Sequence, residues 1–142
     1  MNYETGRGGM DNMKVKLSML WLFAMLNYLY ADVMTLMDSS VLNEIITGRV
    51  GSVHITEEFL LMAAILMEIP IAMVVLSRLL AYRANRWANI IAGVIKTAAV
   101  GGSLFVGEPK LYYSFFAIIE IACTSYIVWL AWNWRRSEPE AQ

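Results

Sequence analysis

Apolar residues are concentrated along the chain in four long runs, each long enough to form a helix that crosses a membrane. A helix of roughly 20 residues, at about 1.5 Å per residue, spans the roughly 30 Å hydrocarbon core of a bilayer. The predicted spans are residues 17–38, 57–78, 88–106 and 111–134. Because the last two connections are short, the helices that they join are expected to be antiparallel. The pattern therefore predicts an all-α fold, a four-helix transmembrane bundle that forms one membrane domain over residues 14–136.

The segments outside the spans are polar and lack apolar periodicity. Residues 1–13 predict a mobile N-terminal tail, and residues 137–142 predict a short C-terminal tail. Between the first two spans, residues 41–47 favour a short interfacial helix. Thr56 is placed to cap the second span at its N-terminus.

Basic residues are distributed unevenly between the two ends of the predicted spans. Only Arg49 and Lys110 lie at one end. Eight lie at the other: Arg7, Lys14, Lys16, Arg78, Arg83, Arg86, Arg135 and Arg136. Because cytoplasmic segments carry the excess of Lys and Arg, this distribution predicts an N-in/C-in topology and a multi-pass protein of the cytoplasmic (inner) membrane.

Composition supports the membrane class and excludes several functions. Of the 142 residues, 58% are hydrophobic and only 16% are charged, against roughly 25% charged in soluble domains. The net charge of −1 argues against nucleic-acid binding. One cysteine, Cys123, and one histidine, His54, exclude a dithiol redox pair and a histidine metal cluster within the chain. No cofactor and no metal site are predicted.

Polar or ionisable side chains interrupt all four apolar runs at similar positions. Depths counted from the cytoplasmic helix ends are roughly 14 to 18 Å for four of them and about 23 Å for a fifth, Asp32. The four are Tyr28, Glu68, Lys96 and Glu120. An ionised group in the bilayer core costs roughly 2.5 to 3.5 kcal/mol on insertion scales, so such groups face protein and mark functional sites. We therefore predict that the five side chains converge on one site.

This predicted site has the composition of an acid–base centre. Glu68 and Glu120 are expected to exchange roles as proton donor and acceptor, and Lys96 or Tyr28 to stabilise developing negative charge. Asp32 is expected at the mouth of the site. Structural interpretations stay open beside these roles: Lys96 as a counter-ion or a snorkelling residue, and Tyr28 as a packed aromatic.

Three functions are compatible with this arrangement. The leading hypothesis is a membrane-embedded site for a small lipophilic molecule, with acid–base chemistry such as isomerisation, cyclisation or epoxide opening. The alternative is a small proton-coupled transporter or an ion-conducting oligomer, in which the same acids bind and release protons. A third is an accessory membrane subunit whose buried charges pair within the protein. The expected partners are membrane lipid, a lipophilic ligand or proton, and further copies of the chain, since four spans bury little surface alone.

Three stretches resemble an uncharacterised family of small four-helix bacterial membrane proteins. They are WLFAMLNYLYADVMTLMD, AAILMEIPIAMVVLSRLL with YRANRWANIIAG, and SLFVGEPKLYYSFFAIIEIA. More distantly, the four-span layout resembles the DoxX-like group, whose relatives include redox-complex subunits and sterol-isomerase-type proteins. That resemblance implies a lipophilic ligand within the bundle, and no site residue is carried over from it.

Overall fold

The computed structural model describes residues 3–106 and 110–135, and these are almost entirely helical. The helices in chain order are α1 (Tyr3–Met37), α2 (Ser39–Ile46), α3 (Glu57–Leu79), α4 (Tyr82–Ser103) and α5 (Leu111–Asn133). A small antiparallel hairpin of β1 (Arg49–Val50) and β2 (Val53–His54) lies between α2 and α3. The predicted all-α class is therefore confirmed.

Three of the described helices are long and apolar enough to cross a membrane, which indicates a membrane protein. They are Gly8–Met37 within α1, Glu57–Leu79 and Leu111–Asn133. The predicted third span, residues 88–106, lies mostly in α4, which does not reach the same hydropathy. Its helix carries two arginines, a lysine and two asparagines among 22 residues.

Two helices begin earlier than the apolar pattern predicts. Helix α1 begins at Tyr3, so residues 3–13, predicted as a mobile tail, are helical. The side chain of Met13 packs against the core, and such tertiary contact stabilises helical turns that sequence propensity alone leaves marginal. Helix α4 begins at Tyr82, whose hydroxyl donates to the Trp134 carbonyl at 2.6 Å, so a polar contact with the end of α5 holds its first turn.

The predicted interfacial helix corresponds to α2, which lies in the connection between α1 and α3. Asp38 precedes α2, and its carboxylate accepts from the Ser40 backbone N–H at 3.0 Å as an N-cap. The hairpin that follows turns through Gly51 and Ser52. Gly51 has a φ of 56°, the left-handed conformation that a tight two-residue hairpin loop requires at its first position.

The four long helices pack side by side around one core. Helix α1 packs between α3 and α5, and α4 packs closely against α5 and more lightly against α3. Leu17, Trp21 and Ala24 are fully buried on α1 and belong to the same core cluster as Ile127 of α5. The first turn of α4 contacts the end of α5, and the Tyr113 hydroxyl contacts Ser103 at the opposite end, so α4 and α5 are antiparallel.

Helices α4 and α5 approach each other closely at Gly93. A Cβ atom at that position would lie 2.5 Å from Cγ2 of Val128 and 3.3 Å from the Thr124 carbonyl oxygen. Glycine is therefore required by the close approach of the two helices. Gly93 lies about one turn before Lys96 along α4, so this contact holds α4 against α5 near Lys96.

Candidate functional site

The most unusual residue in the interior is Lys96, which lies in the middle of α4 and is only 2% exposed. Its ammonium donates a hydrogen bond to the backbone carbonyl of Leu66 on α3 at 3.2 Å. Leu66 lies four residues before Pro70, which has no N–H with which to continue the helical hydrogen-bond ladder. Lys96 therefore supplies the donor that proline removes. A side chain of α4 thus satisfies a backbone carbonyl of α3.

The ring of Tyr28 lies beneath this ammonium. The Lys96 nitrogen is 3.9 Å from the ring centroid, which is cation–π geometry with a desolvated cation. The hydroxyl of Tyr28 is buried and has no hydrogen-bond partner among the residues that the structure describes. Tyr28 thus stabilises the lysine through its ring and leaves a phenol available in the interior.

Glu120 of α5 completes a central cluster, a name used below for Tyr28, Lys96 and Glu120. Its side chain is 4% exposed, and its Oε1 has no partner within the described part of the chain. It lies within electrostatic range of Lys96 and Tyr28. The one ion pair within 4.0 Å among the described residues joins Lys110 to Asp38, so Glu120 and Lys96 are neighbours without a direct salt bridge. The cluster therefore retains unused hydrogen-bonding capacity at two buried oxygens.

Glu68, predicted to share this site, lies elsewhere. Its side chain is exposed on the outer surface of α3, whereas Pro70, Met73 and Ser77 form the buried face. Two residues along a helix rotate a side chain by about 200°, so an inward Pro70 turns Glu68 outward. The expected pairing of Glu68 with Glu120 is therefore absent from the described structure of the single chain, although both residues lie in the middle of their helices.

Asp32 lies at the edge of the central cluster. It is exposed on α1, one turn beyond Tyr28, and within electrostatic range of Lys96. The buried stripe of α1 runs through Tyr28 and Ala31, which leaves Asp32 beside the packed face and outside it. The structure thus brings Tyr28, Lys96 and Glu120 together, with Asp32 adjacent and Glu68 apart.

A second buried polar group, here called the asparagine network, was missed by the sequence analysis. Its members are Trp21, Ser77, Asn85 and Asn89. The Trp21 indole N–H and the Ser77 hydroxyl both donate to Oδ1 of Asn89, at 2.7 and 3.3 Å. Asn89 donates in turn to Oδ1 of Asn85 at 2.7 Å. The spacing of two asparagines one turn apart, at the start of a predicted span, was the signal that could have identified it.

A groove of about 370 Å³ runs along the outer surface between α4 and α5, away from the central cluster. It is lined by Val94, Thr97, Ala98, Ser125 and Val128. Within the described residues, no group of three or more His, Cys, Asp or Glu side chains is arranged to hold a metal ion. The central cluster therefore offers one lysine, one carboxyl and one phenol for chemistry.

At the end of the molecule that contains α2, Asp38 joins α2 to the start of α5. Its carboxylate accepts from the Ser40 hydroxyl at 2.6 Å and lies 3.8 Å from the Lys110 ammonium. The hydrogen bonds from Ser40, with a smaller contribution from Lys110, hold the pKa of Asp38 below its ordinary value. This contact fixes the position of α2 outside the apolar spans.

Comparison with known proteins gives a family assignment. No curated protein and no solved structure matches the chain. The expected distant relationship to DoxX-like proteins is not shown by these comparisons. A model described as a family of unknown function, DUF6326, matches residues 9–141, which is nearly the whole chain and includes every residue of the central cluster and the asparagine network. The chain therefore belongs to the DUF6326 family.

Proposed function

We propose that the central cluster binds the polar group of a small lipophilic molecule inside the membrane. The observation that carries this proposal is the pair of buried oxygens without partners in the described part of the chain, the Tyr28 hydroxyl and Oε1 of Glu120, close to a buried lysine. Buried polar atoms are nearly always hydrogen-bonded, so a pair of exceptions beside a buried cation favours an additional polar group at this point.

A hydroxyl group on a ligand would satisfy the unpartnered oxygens of the central cluster. It can accept a hydrogen bond from Tyr28 or Lys96 and donate one to the Glu120 carboxylate. An apolar body attached to that hydroxyl would remain in surroundings as apolar as the bilayer. The proposed ligand class is accordingly a lipophilic alcohol or a molecule with an equivalent oxygen.

Acid–base chemistry on such a ligand is the proposed activity, with isomerisation, cyclisation and epoxide opening as the reaction types. Because Glu68 faces outward, one carboxyl rather than two would serve the reaction. Glu120 would accept or return the proton, and Lys96 or Tyr28 would stabilise negative charge that develops on the ligand oxygen. Asp32 would lie at the entrance.

The test is infrared difference spectroscopy of the purified protein in lipid nanodiscs, with dodecanol as the probe and dodecane as its apolar control. We expect dodecanol to change the carboxyl absorption of the wild-type protein, because its hydroxyl bonds to Glu120. The change should disappear in Glu120→Gln and persist in Glu57→Gln, the same chemical replacement at an exposed site in the first turn of α3. A dodecanol signal that survives in Glu120→Gln would contradict the proposal, as would an equal response to dodecane.

Asp32 favours a second candidate function, proton-coupled transport or ion conduction. Its exposed carboxyl, within electrostatic range of buried Lys96, would exchange protons between the surroundings and the central cluster. Proton uptake by vesicles that contain the protein, reduced in Asp32→Asn, would favour this function over ligand chemistry. If the variant and the wild-type protein are equally inactive and dodecanol does not bind, the accessory-subunit hypothesis gains support.

The proposed setting is the cytoplasmic (inner) membrane, with α4 as a fourth span and both termini cytoplasmic. The low hydropathy of α4 has two sources that suit this arrangement: its asparagines and lysine are buried against the apolar helices, and its arginines lie near its first turn. Lys14, Lys16, Arg78 and Arg83 lie toward one end of the molecule and Arg49 and Lys110 toward the other, which supports a cytoplasmic location for the first end.

A further inference from the structure

Glu68 is an acid in the middle of an apolar helix that points directly away from the protein. The buried face of α3 is centred on Pro70, Met73 and Ser77. Ser77 follows Glu68 by nine residues, which is two and a half turns, so the two side chains lie on opposite faces of the helix. Glu68 is exposed, and only 11% of the apolar window of α3 is buried, the lowest share among the three candidate spans.

A carboxyl in this position needs a polar partner from outside the chain. Exposure to hydrocarbon leaves its oxygens without hydrogen bonds, and ionisable groups in membrane helices rarely face lipid. The neighbouring exposed residues on the same face, Leu61, Ile65, Ile71 and Val75, are apolar and offer no hydrogen bond. The partner must therefore present a polar group at the same depth.

A second copy of this chain meets that requirement through symmetry. Two copies inserted in the same orientation are related by a two-fold axis along the membrane normal, and equivalent residues then lie at equal depth. Glu68 of one copy would face Glu68 of the other. A carboxylic acid is both donor and acceptor, so two such groups are self-complementary when at least one is protonated.

The residues one turn before and one turn after Glu68 permit a close approach. They are Ala64 and Ala72, which lie on the same side of α3 as Glu68. Small residues at four-residue spacing let the backbones of membrane helices come close enough for side-chain hydrogen bonds. The larger residues at Leu61 and Val75 would pack around this contact.

We propose that the outward face of α3 is a dimer interface, in which the Glu68 carboxyls of two copies hydrogen-bond to each other between Ala64 and Ala72. This inference is independent of ligand binding at the central cluster. It identifies the surface and the contact through which the predicted self-association occurs.

Cysteine cross-linking in native membranes tests the geometry. Ala64→Cys and Met62→Cys form a matched pair, because both positions are exposed and lie at nearly the same depth, but they point about 160° apart around α3. We expect oxidation to give disulfide-linked dimers of Ala64→Cys and not of Met62→Cys. The natural Cys123 is buried and should remain unreacted. Equal cross-linking at both positions, or none at Ala64→Cys, would overturn the proposal.

Self-association measured by energy transfer between labelled copies in lipid vesicles tests the hydrogen bond. Glu68→Ala should weaken dimerisation roughly 3- to 30-fold, the range expected for polar contacts between membrane helices. Glu68→Gln should retain most of the affinity, because paired amides also donate and accept. Dimerisation unchanged by Glu68→Ala, or lost equally in both variants, would overturn the carboxyl pairing.

Discussion

At the scale of single residues, the hydrogen bond from the Lys96 side chain to the Leu66 carbonyl replaces a backbone hydrogen bond that α3 lacks. The bond exists because Pro70 cannot donate to that carbonyl. The Leu66 carbonyl therefore needs a donor from position 96 only as long as proline occupies position 70. The two residues should be energetically coupled although they lie on different helices.

We predict that Lys96→Met destabilises the wild-type protein more than it destabilises a Pro70→Ala variant. In the wild-type background the change leaves the part-buried Leu66 carbonyl without a donor, whereas an alanine at position 70 supplies its own N–H. The coupling energy in the double-mutant cycle should be about 0.5–1.5 kcal/mol, the net value of a hydrogen bond. The measurement is the free energy of unfolding in mixed micelles for the four proteins of the cycle. Strict additivity would show that the bond contributes nothing.

At the scale of elements, the contact of α4 with α5 depends on the absence of a side chain at Gly93. We predict that Gly93→Ala lowers the free energy of unfolding by about 1–3 kcal/mol, because the new methyl group would overlap Val128 and force the helices apart. Gly101→Ala on the same helix is the matched control, since a Cβ there meets nothing within 4 Å. It should be neutral or stabilising, because alanine is the better helix former.

Removal of the obstructing side chain should rescue the first of these variants. In Gly93→Ala with Val128→Ala, the 2.5 Å overlap with Cγ2 of Val128 is removed and the nearest remaining contact is the Thr124 carbonyl oxygen at 3.3 Å, so the helices can return close to their original distance. Thermal unfolding of the single and double variants in detergent measures the rescue. A double variant less stable than Gly93→Ala alone would contradict the steric explanation.

The N-cap formed by Asp38 makes the stability of helix α2 dependent on pH. The pKa of Asp38 is lower in the folded protein than in the unfolded chain. Its stabilising contribution is therefore present at neutral pH, above the unfolded value of roughly 4, and is lost as the pH falls through the folded value. Hydrogen exchange of the α2 amides, corrected for the intrinsic rate, should accelerate across that acidic window relative to the amides of α4.

An Asp38→Ala variant separates the cap from other effects of acid. Its α2 amides should exchange about two- to tenfold faster than those of the wild-type protein at pH 7, and they should lose the acidic transition. An acidic transition that persists in Asp38→Ala would assign the pH dependence to another group.

At the scale of the whole molecule, the proposed topology predicts which residues a membrane-impermeant thiol reagent reaches. Ser52→Cys in the hairpin loop and Ala84→Cys in the first turn of α4 both replace exposed residues. In intact cells the reagent should label Ser52→Cys alone. After permeabilisation it should label both, and the wild-type protein, with its buried Cys123, serves as the background. Labelling of Ala84→Cys in intact cells would reverse the orientation.

The sequence predicted the all-helical class and the three apolar helices, because hydropathy depends only on position along the chain. The structure brings Tyr28, Lys96 and Glu120 together, and their shared role stays a prediction. Rotation about a helix axis depends on its neighbours, and this is why the outward orientation of Glu68 was not predicted. The asparagine network was missed for a related reason. Asn85 and Asn89 lower the hydropathy of α4, and only packing against Trp21 and Ser77 distinguishes a buried polar network from the end of a span.

The position of Lys96 also has a mechanical consequence. Its ammonium has three N–H groups, and one of them donates to the Leu66 carbonyl, which Pro70 leaves without its usual helical donor. A bound molecule that drew the ammonium away from this carbonyl would remove the donor and loosen α3 at Pro70. If a ligand at the central cluster displaces Lys96 in this way, occupancy of the cluster and curvature of α3 are coupled. A probe of helix bending would then detect occupancy without any knowledge of the ligand's identity.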